Sequence, residues 1–369
     1  MTILAFVVSA LLPATLWAQS ESRIHLLHSD RLYHDTEIDA RAQILVGNVQ
    51  FRHDDVLMYC DSALFYEASN SLDAFGNVRM NQGDTLSLAG DVLFYNGLDK
   101  LARVRNNVVL VHGETTLYTD SLDYDRLYNV GYFFEGGHLV TQDNDMTSDW
   151  GEYRPETKVA VFNYNVHLVS PAPPQKARTT LLTDTLYYNT VTSVANARGP
   201  STIDDGGCHI YTELGYMNSK NNDLTLLNRS EMSNNGKKLI GDSIVWNSVD
   251  SIGEAFGNVV YTDVLNKNAM TGNYCYYDDK MGYSLGTDSA CILDFSQGAD
   301  TMYMHADSIK MYTFNIKTDS VYRTMHAFHH VRMYRKDMQG VCDSLFYTTK
   351  DSMMIMYKDP IVWTGSQQL

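Results

Sequence analysis

The chain has 369 residues, 44% of them apolar, a formal net charge of −16, 25 tyrosines and seven prolines. That is enough for two ordinary domains or one extended array with a sizeable core. The acidic balance is spread along the chain, which argues against the basic footprint of a nucleic-acid binder and matches an anionic membrane poorly. Tyr and Thr suit half-buried strands, and abundant Asn, Asp and Gly suit the turns that join them, so the composition reads all-β.

Residues 1–18 form an uncharged apolar run ending Leu16-Trp17-Ala18 before Gln19-Ser20-Glu21. This is the pattern of a secretory signal peptide cut after Ala18, with a buried first strand as the alternative. No later stretch approaches the ~20 apolar residues of a membrane-spanning helix. Beyond the leader an acidic or amide residue keeps time. Asp30, Asp61, Asp91, Asp120, Asp149, Asp184, Glu213, Asp242, Asn273, Asp307 and Asp343 follow one another at steps of 29–36 residues. A period in that range marks an array whose units pack on their neighbours.

Each unit resolves into two strands. One carries Gly-Asn-Val, as in Gly47-Asn48-Val49, Gly76-Asn77-Val78 and Gly257-Asn258-Val259, with degenerate forms at Asn106-Asn107, Tyr164-Asn165 and His329-His330. The other carries the acidic mark, as in Cys60-Asp61-Ser62 and Cys342-Asp343-Ser344. Turn signals such as Gln82-Gly83-Asp84, His112-Gly113-Glu114 and Asp278-Asp279-Lys280 fall between them, giving antiparallel hairpins. A glycine inside a strand marks a bulge or bend, so strands bent at their middle would fold the sheet over on itself. The acidic residue at the bend is expected to bond nearby backbone.

Side chains alternate along a strand, so positions two and four after the acidic mark share a face. They read Leu32, Ala63, Leu93, Leu122 and onward to Leu345, then His34, Phe65, Tyr95, Tyr124 and onward to Tyr347. The result is a continuous apolar interior lined by rows of equivalent side chains. The rhythm stretches at Ser170-Pro171-Ala172-Pro173-Pro174, which places a boundary near residue 172. Gly199-Pro200 through Gly206-Gly207-Cys208 reads as a loop beside a degraded repeat. Extrapolating the rhythm past Asp343 leaves Leu369 partway through a unit, as in a piece of a longer protein.

Cys60, Cys208, Cys275, Cys291 and Cys342 show no C-x-x-C spacing, so they define neither a zinc site nor a disulfide framework. His326, His329 and His330 are weak metal candidates, because neighbouring strand residues point to opposite faces. Asp54-Asp55 and Asp278-Asp279 read as solvated turn residues. No nucleophile elbow, phosphate loop or His-Glu-x-x-His stands in the chain. The reading is therefore non-enzymatic, without a cofactor.

A leader followed by repeated Gly-Asn-Val and Thr-Leu-x-x-Asp-Ser-Leu-x-Tyr strands resembles the OstA-like proteins. These are relatives of the periplasmic lipopolysaccharide bridge LptA and of the N-terminal domain of the translocon LptD. The likeness is clearest over residues 24–170. It implies an antiparallel β-jellyroll, or β-taco, here of about eleven two-stranded repeats, with a lobe over 22–171 and a second over 175–369. It also implies a periplasmic or envelope location, an apolar groove shielding the acyl chains of lipopolysaccharide or a related lipid, and head-to-tail strand addition between such proteins. The expected groove lining is Val49, Phe51, Ala63, Phe65, Val78, Met80, Leu93, Tyr95, Leu122, Tyr124, Tyr153, Leu186, Tyr188, Ile244, Trp246, Tyr277, Leu345 and Tyr347. The competing expectation is an envelope scaffold with a dry core that binds protein or glycan on its outer face.

Overall fold

A computed structural model describes residues 22–368 apart from 171–177, 297, 299, 317 and 366. The leader at 1–18 and the proline-rich boundary near 172 lie outside the described residues. Twenty-seven strands form one antiparallel sheet. The only helical pieces among the described residues are the single turns Thr36–Asp39 and Glu67–Ser69. Successive strands are sheet neighbours: Gln43–His53 pairs with Val56–Tyr66, which pairs with Ser71–Gln82. The sheet crosses the proline-rich stretch unbroken, because Val159–Ser170 pairs with Thr179–Asn189 from Val159↔Asn189 to Ser170↔Thr179.

Strands of 11–12 residues dominate, and each is bent near its middle. The bend has a residue-level cause. Gly47 and Asn48 both take left-handed dihedrals, with φ of 85° and 48°. So do Gly76-Asn77, Asn106-Asn107, Tyr164-Asn165, Asn228-Arg229, Gly257-Asn258, Asp288-Ser289, His329-His330 and Lys358-Asp359. Two consecutive left-handed residues skip the ladder and swing the chain, and the pairing register shifts at each such site. The bend recurs in strand after strand, so the bends align into a corner and the sheet closes on itself like a folded card. Several bent strands are interrupted at the corner. If His25–His28/Arg31–Tyr33, Val130–Phe133/Gly137–Val140, Asp145–Ser148/Trp150–Arg154 and Met353–Tyr357/Ile361–Thr364 each count once, and Gln367–Gln368 is set aside, the array has twenty-two bent strands.

The acidic marks sit at this corner, where Asp120 and Asn273 accept from the backbone N–H of Asn107 and Asn258, and five others accept from an asparagine side chain of the following strand. Asn48, Asn77, Asn107, Asn165 and Asn258 donate from Nδ2 to Asp30, Asp61, Asp91, Asp149 and Asp242 at 2.6–2.9 Å. At three of these corners, those of Gly47, Gly76 and Gly257, the glycine also lies close against the acidic carboxylate. A Cβ on Gly76 would lie 2.5 Å from Asp61 Oδ2, and one on Gly257 2.4 Å from Asp242 Oδ2. Asn106 occupies the equivalent position elsewhere, so Gly76→Asn should be tolerated with a shift of the Asp61 carboxylate and cost less than a branched residue. By contrast, Gly76→Val should cost about 1–2 kcal/mol, measured by chemical denaturation, since a branched residue disfavours the left-handed region.

Inward positions build a continuous core from Ile24 to Cys275 and a second cluster from Ala290 to Leu345, with Ile292 packed against both. Two expectations need correction. Leu32 is 54% exposed and His34 is exposed as well, because their strand is the edge of the array among the described residues. Gly199–Cys208 is not a loop: Val194–Asp205 is a full strand whose corner is Gly199, at φ 88°, and only 206–207 form the turn.

Candidate functional site: the interior of the folded sheet

Folding the sheet brings two lines of hairpin turns face to face. One lip holds the turns 54–55, 83–85 and 113–114; the other holds 97–100, 126–129 and 155–158. Between them lie the rows expected from the alternation. Val49, Phe51, Ala63, Phe65, Val78, Met80, Leu93, Tyr95, Leu122, Tyr124, Tyr153, Leu186, Tyr188, Ile244 and Leu345 are all buried, most at 2% exposure or less. Trp246 and Tyr347 are half-buried, and Tyr277 is 42% exposed. The exceptions all fall in the C-terminal part of the chain.

The lips explain the difference. Cross-strand neighbours set Tyr95, Ala102, Tyr124, Gly131, Tyr153, Ala160 and Tyr188 in one row, large alternating with small. Each tyrosine hydroxyl reaches the opposite lip. Tyr95 Oη lies 2.6 Å from His53 Nδ1, and Arg126 donates to it at 2.5 Å. Tyr124 donates to Gln82 at 3.3 Å, Tyr153 Oη is 2.9 Å from His112 Nδ1, and Asn144 donates to Tyr188 at 2.7 Å. Ion pairs reinforce the line where Lys100 meets Asp54 and Arg126 meets Asp55, both at 2.8 Å. Burial raises the Tyr95 and Tyr153 hydroxyls and pushes Tyr124 up to about 12, so all three stay protonated donors. The same burial holds His53 and His112 below the ordinary histidine value.

Past Tyr188 the row continues as Met217, Trp246, Tyr277, Met311 and Tyr347, and the bonds stop. Among the described residues, the last hydrogen bond across the mouth is Asn222 to Asp205 at 3.4 Å, and beyond it Arg323 faces Asp263 and Tyr261 of the opposite lip through charge alone. Tyr277 turns instead to Asp279 on its own lip, at 2.7 Å. Side chains nearer the corner also shrink, to Ala255, Gly272, Gly286, Ala290, Ala306 and Ala327. Leu239, Trp246, Tyr261, Ile292, Met311, Met325, Tyr347 and Met356 therefore line the interior while only partly covered. Of the 17 methionines, only Met1, Met58, Met80 and Met146 precede residue 200. A methionine-rich lining is polarizable and adapts to irregular apolar ligands.

The chemistry of this interior is apolar contact. Among the described residues, no group of three His, Cys, Asp or Glu could hold a metal ion. His329 and His330 are both exposed at the corner, bonded to Asp343 and Asp307. The cysteines are unpaired, and burial pushes the Cys60 thiol up to about 12 and the Cys275 thiol up to about 11. No helix of the described residues is long and apolar enough to cross a membrane.

Of these partners, Gln82, His112 and Asn144 read in the sequence only as turn residues, and His53 carried no signal of its own. Their shared signal was spacing, since each stands 41–44 residues before the tyrosine it meets.

The class is thus an all-antiparallel sheet folded over an apolar interior, a β-taco. Comparison with known families adds the rest. Residues 21–173 match the family model for OstA-like proteins, and residues 130–234 match that for lipopolysaccharide-assembly, LptC-related proteins. Over those residues the chain is OstA-like and Lpt-related. Among solved structures it is similar to LptH of Pseudomonas aeruginosa, described as the LptA-homologous periplasmic component of the lipopolysaccharide transport device. That likeness has 14% identity over 36% of this chain and 85% of the other, with a TM-score of 0.28. No curated protein matches the chain. The unsealed interior beyond Asn234 lies outside both family matches.

Proposed function

We propose that the chain is a periplasmic lipid-binding module of lipopolysaccharide transport to the outer membrane, holding acyl chains between the two halves of its sheet. The observation that carries this reading is the unsealed interior from Leu239 to Met356, where large apolar side chains face a mouth that no hydrogen bond bridges among the described residues. Such a lining gains about 0.8 kcal/mol for each CH₂ it removes from water. A chain of a dozen carbons thus gains on the order of 10 kcal/mol before ordering costs. No single residue carries the work, and the module is not an enzyme. The acidic surface favours a grip on the tails over a grip on an anionic headgroup.

The free edges support a second element of the proposal. Among the described residues His25–His28 with Arg31–Tyr33 pairs on one side only, and near the opposite end Met353–Tyr357 does so as well, while Ile361–Thr364 also takes Gln367–Gln368. Unpaired strand edges invite strand addition, so neighbouring jellyroll proteins would join head to tail there. The scaffold alternative draws on one observation, the packed core, which past Asn222 persists near the corner but lacks hydrogen bonds across the mouth among the described residues.

Photocrosslinking in cells tests the reading. Photoreactive residues at Trp246, Tyr277 and Met311 should capture lipopolysaccharide, whereas outward Val245 and Lys310 should not. Capture confined to the outward positions would overturn the proposal.

A further inference from the structure

We propose that the line of lip-to-lip bonds is a releasable seam, so that the sealed N-terminal half is a latent extension of the lipid-binding interior. This rests on the lipid reading above for its ligand, an acyl chain, but not for its mechanics.

Three observations carry it. First, the interior is a single set of rows. Leu110, Leu117, Leu139, Met146, Leu168 and Leu181 are successive cross-strand neighbours, and the same row continues through Met232 into Leu239 and Tyr261. A chain lying in the unsealed part points along the sealed one. Second, the closure consists of side-chain bonds. The lips are turns, no strand pairing spans them, and the left-handed pairs at the corner lie on the opposite side of the fold. Opening the mouth therefore leaves the sheet ladder intact, while an incoming acyl chain would cover the apolar rows that opening exposes. Third, the seam is incompletely satisfied. Arg126 Nε is buried without a hydrogen-bond partner among the described residues, on a residue only 7% exposed. A permanently dry core is served better by apolar side chains at such places, because an unpartnered buried polar atom costs stability. Groups left this way are suited to a state in which they find water or other partners.

The measurement is alkylation of a probe cysteine just inside the seam. Val56 is 0% exposed and stands at the start of its strand, beside the turn 54–55. Val56→Cys in the full chain should react slowly with a maleimide, followed peptide by peptide. Removing the four seam hydroxyls (Tyr95→Phe, Tyr124→Phe, Tyr153→Phe and Tyr188→Phe) should speed that reaction about tenfold or more. Native Cys342, buried in the other cluster, should keep its own rate. Arg126→Met repeats the test at one end of the seam with a single change.

In parallel, a dansyl-labelled dodecanoic acid reports occupancy. Its binding stoichiometry should rise in the seam variant. It should return to the wild-type value when Asp54→Cys and Lys100→Cys are bridged across the lips by a bismaleimide. An unchanged rate at residue 56 in both variants would overturn the seam, as would Cys342 accelerating in step, since that means general unfolding. Faster labelling without extra dansyl binding would uphold the seam and overturn the lipid reading instead.

Discussion

Phe133→Ala should lower the unfolding free energy by about 3–5 kcal/mol, among the largest losses expected from one substitution in this chain. Phe133 is 0% exposed and lies where a bent strand is interrupted, between Val130–Phe133 and Gly137–Val140. Two glycines make room for its ring: a Cβ on Gly137 or on Gly151 would lie 2.4 Å from it. The ring of Phe162 tilts against it at 6.2 Å. The neighbouring ladder on both sides is fixed by sheet pairing, so the site cannot collapse onto the space left, and the cavity term adds to the lost burial. Gly151→Ala tests the same fit from the other side. It drives a methyl both into the ring and to within 2.4 Å of the Val161 carbonyl oxygen, which is backbone and cannot swing away. About 1–3 kcal/mol is expected there.

An array of this kind is stabilised mainly by nearest-neighbour contacts, so the damage should be local. Hydrogen exchange after Phe133→Ala should rise over 130–170 and stay unchanged over 283–314. Denaturant midpoints give the total. A loss below about 1 kcal/mol would mean that the Phe133 pocket closes by itself, and the fixed-ladder argument would fail.

Much of this architecture was legible in the residues. Alternation placed Ala63, Phe65, Leu93, Tyr95, Leu122 and Tyr124 inside, and the mid-strand glycines of Gly47-Asn48 and Gly76-Asn77 announced the bend. The physical reason is that both signals are local: a period of two reports a face, and a left-handed pair reports a corner. Gly199 carried the same corner signal, but Pro200 and the 206–207 glycines made the segment look like a loop. Leu32 follows the inward pattern yet lies exposed, because alternation cannot tell an edge strand from a covered one.

The mouth was illegible for a different reason. Whether two faces meet tightly depends on residues some 42 positions apart, and half of them stand at turns, where polar residues are expected for solvation alone. Asp54-Asp55 illustrates this. Read as a solvated turn, the pair in fact bonds Lys100 and Arg126 on the opposite lip. Tyr277 keeps the alternation of Tyr124 and Tyr188, but the partner that would pull it across is missing among the described residues. The replacement of Tyr by Met217, Trp246 and Met311 in that row was the available clue.

Arg126→Met should cost about 1.5–3 kcal/mol, the range for hydrogen bonds that involve a charged group. The arginine side chain is 3% exposed, while Asp55 is 60% exposed. The substitution therefore removes the buried charge itself and leaves its carboxylate partner in water, which keeps the loss below that of orphaning a buried ion. What it does orphan is geometry. Tyr95 Oη accepts from Arg126 and donates to His53 Nδ1, so the three groups form one directed chain that requires an unprotonated Nδ1.

That requirement gives the chain a pH signature whose sign is fixed. Burial is the main cause holding His53 down. Asp54 and a hydrogen bond to the Ser22 backbone oppose it, and Arg126 and Lys100 add to it. His112 is lowered by burial and then by Lys158. The unfolded chain takes up these protons near the ordinary value of 6.5, and the folded chain does so only at lower pH. Stability contributed by the neutral rings is therefore complete above 6.5 and is lost as pH falls below it. Asp54, held at about 2 chiefly by its bond from Lys100, stays charged throughout and does not blur the window. Denaturation midpoints should accordingly fall as the wild-type chain is taken from neutral pH toward about 5. The fall should be smaller in His53→Gln/His112→Gln. In Arg126→Met it should also be smaller, because one cause of the lowering is gone and a protonated His53 no longer faces a guanidinium. A wild-type profile flat across that window would show that neither ring is needed neutral, and the directed chain Arg126–Tyr95–His53 would then not be what closes that end of the mouth.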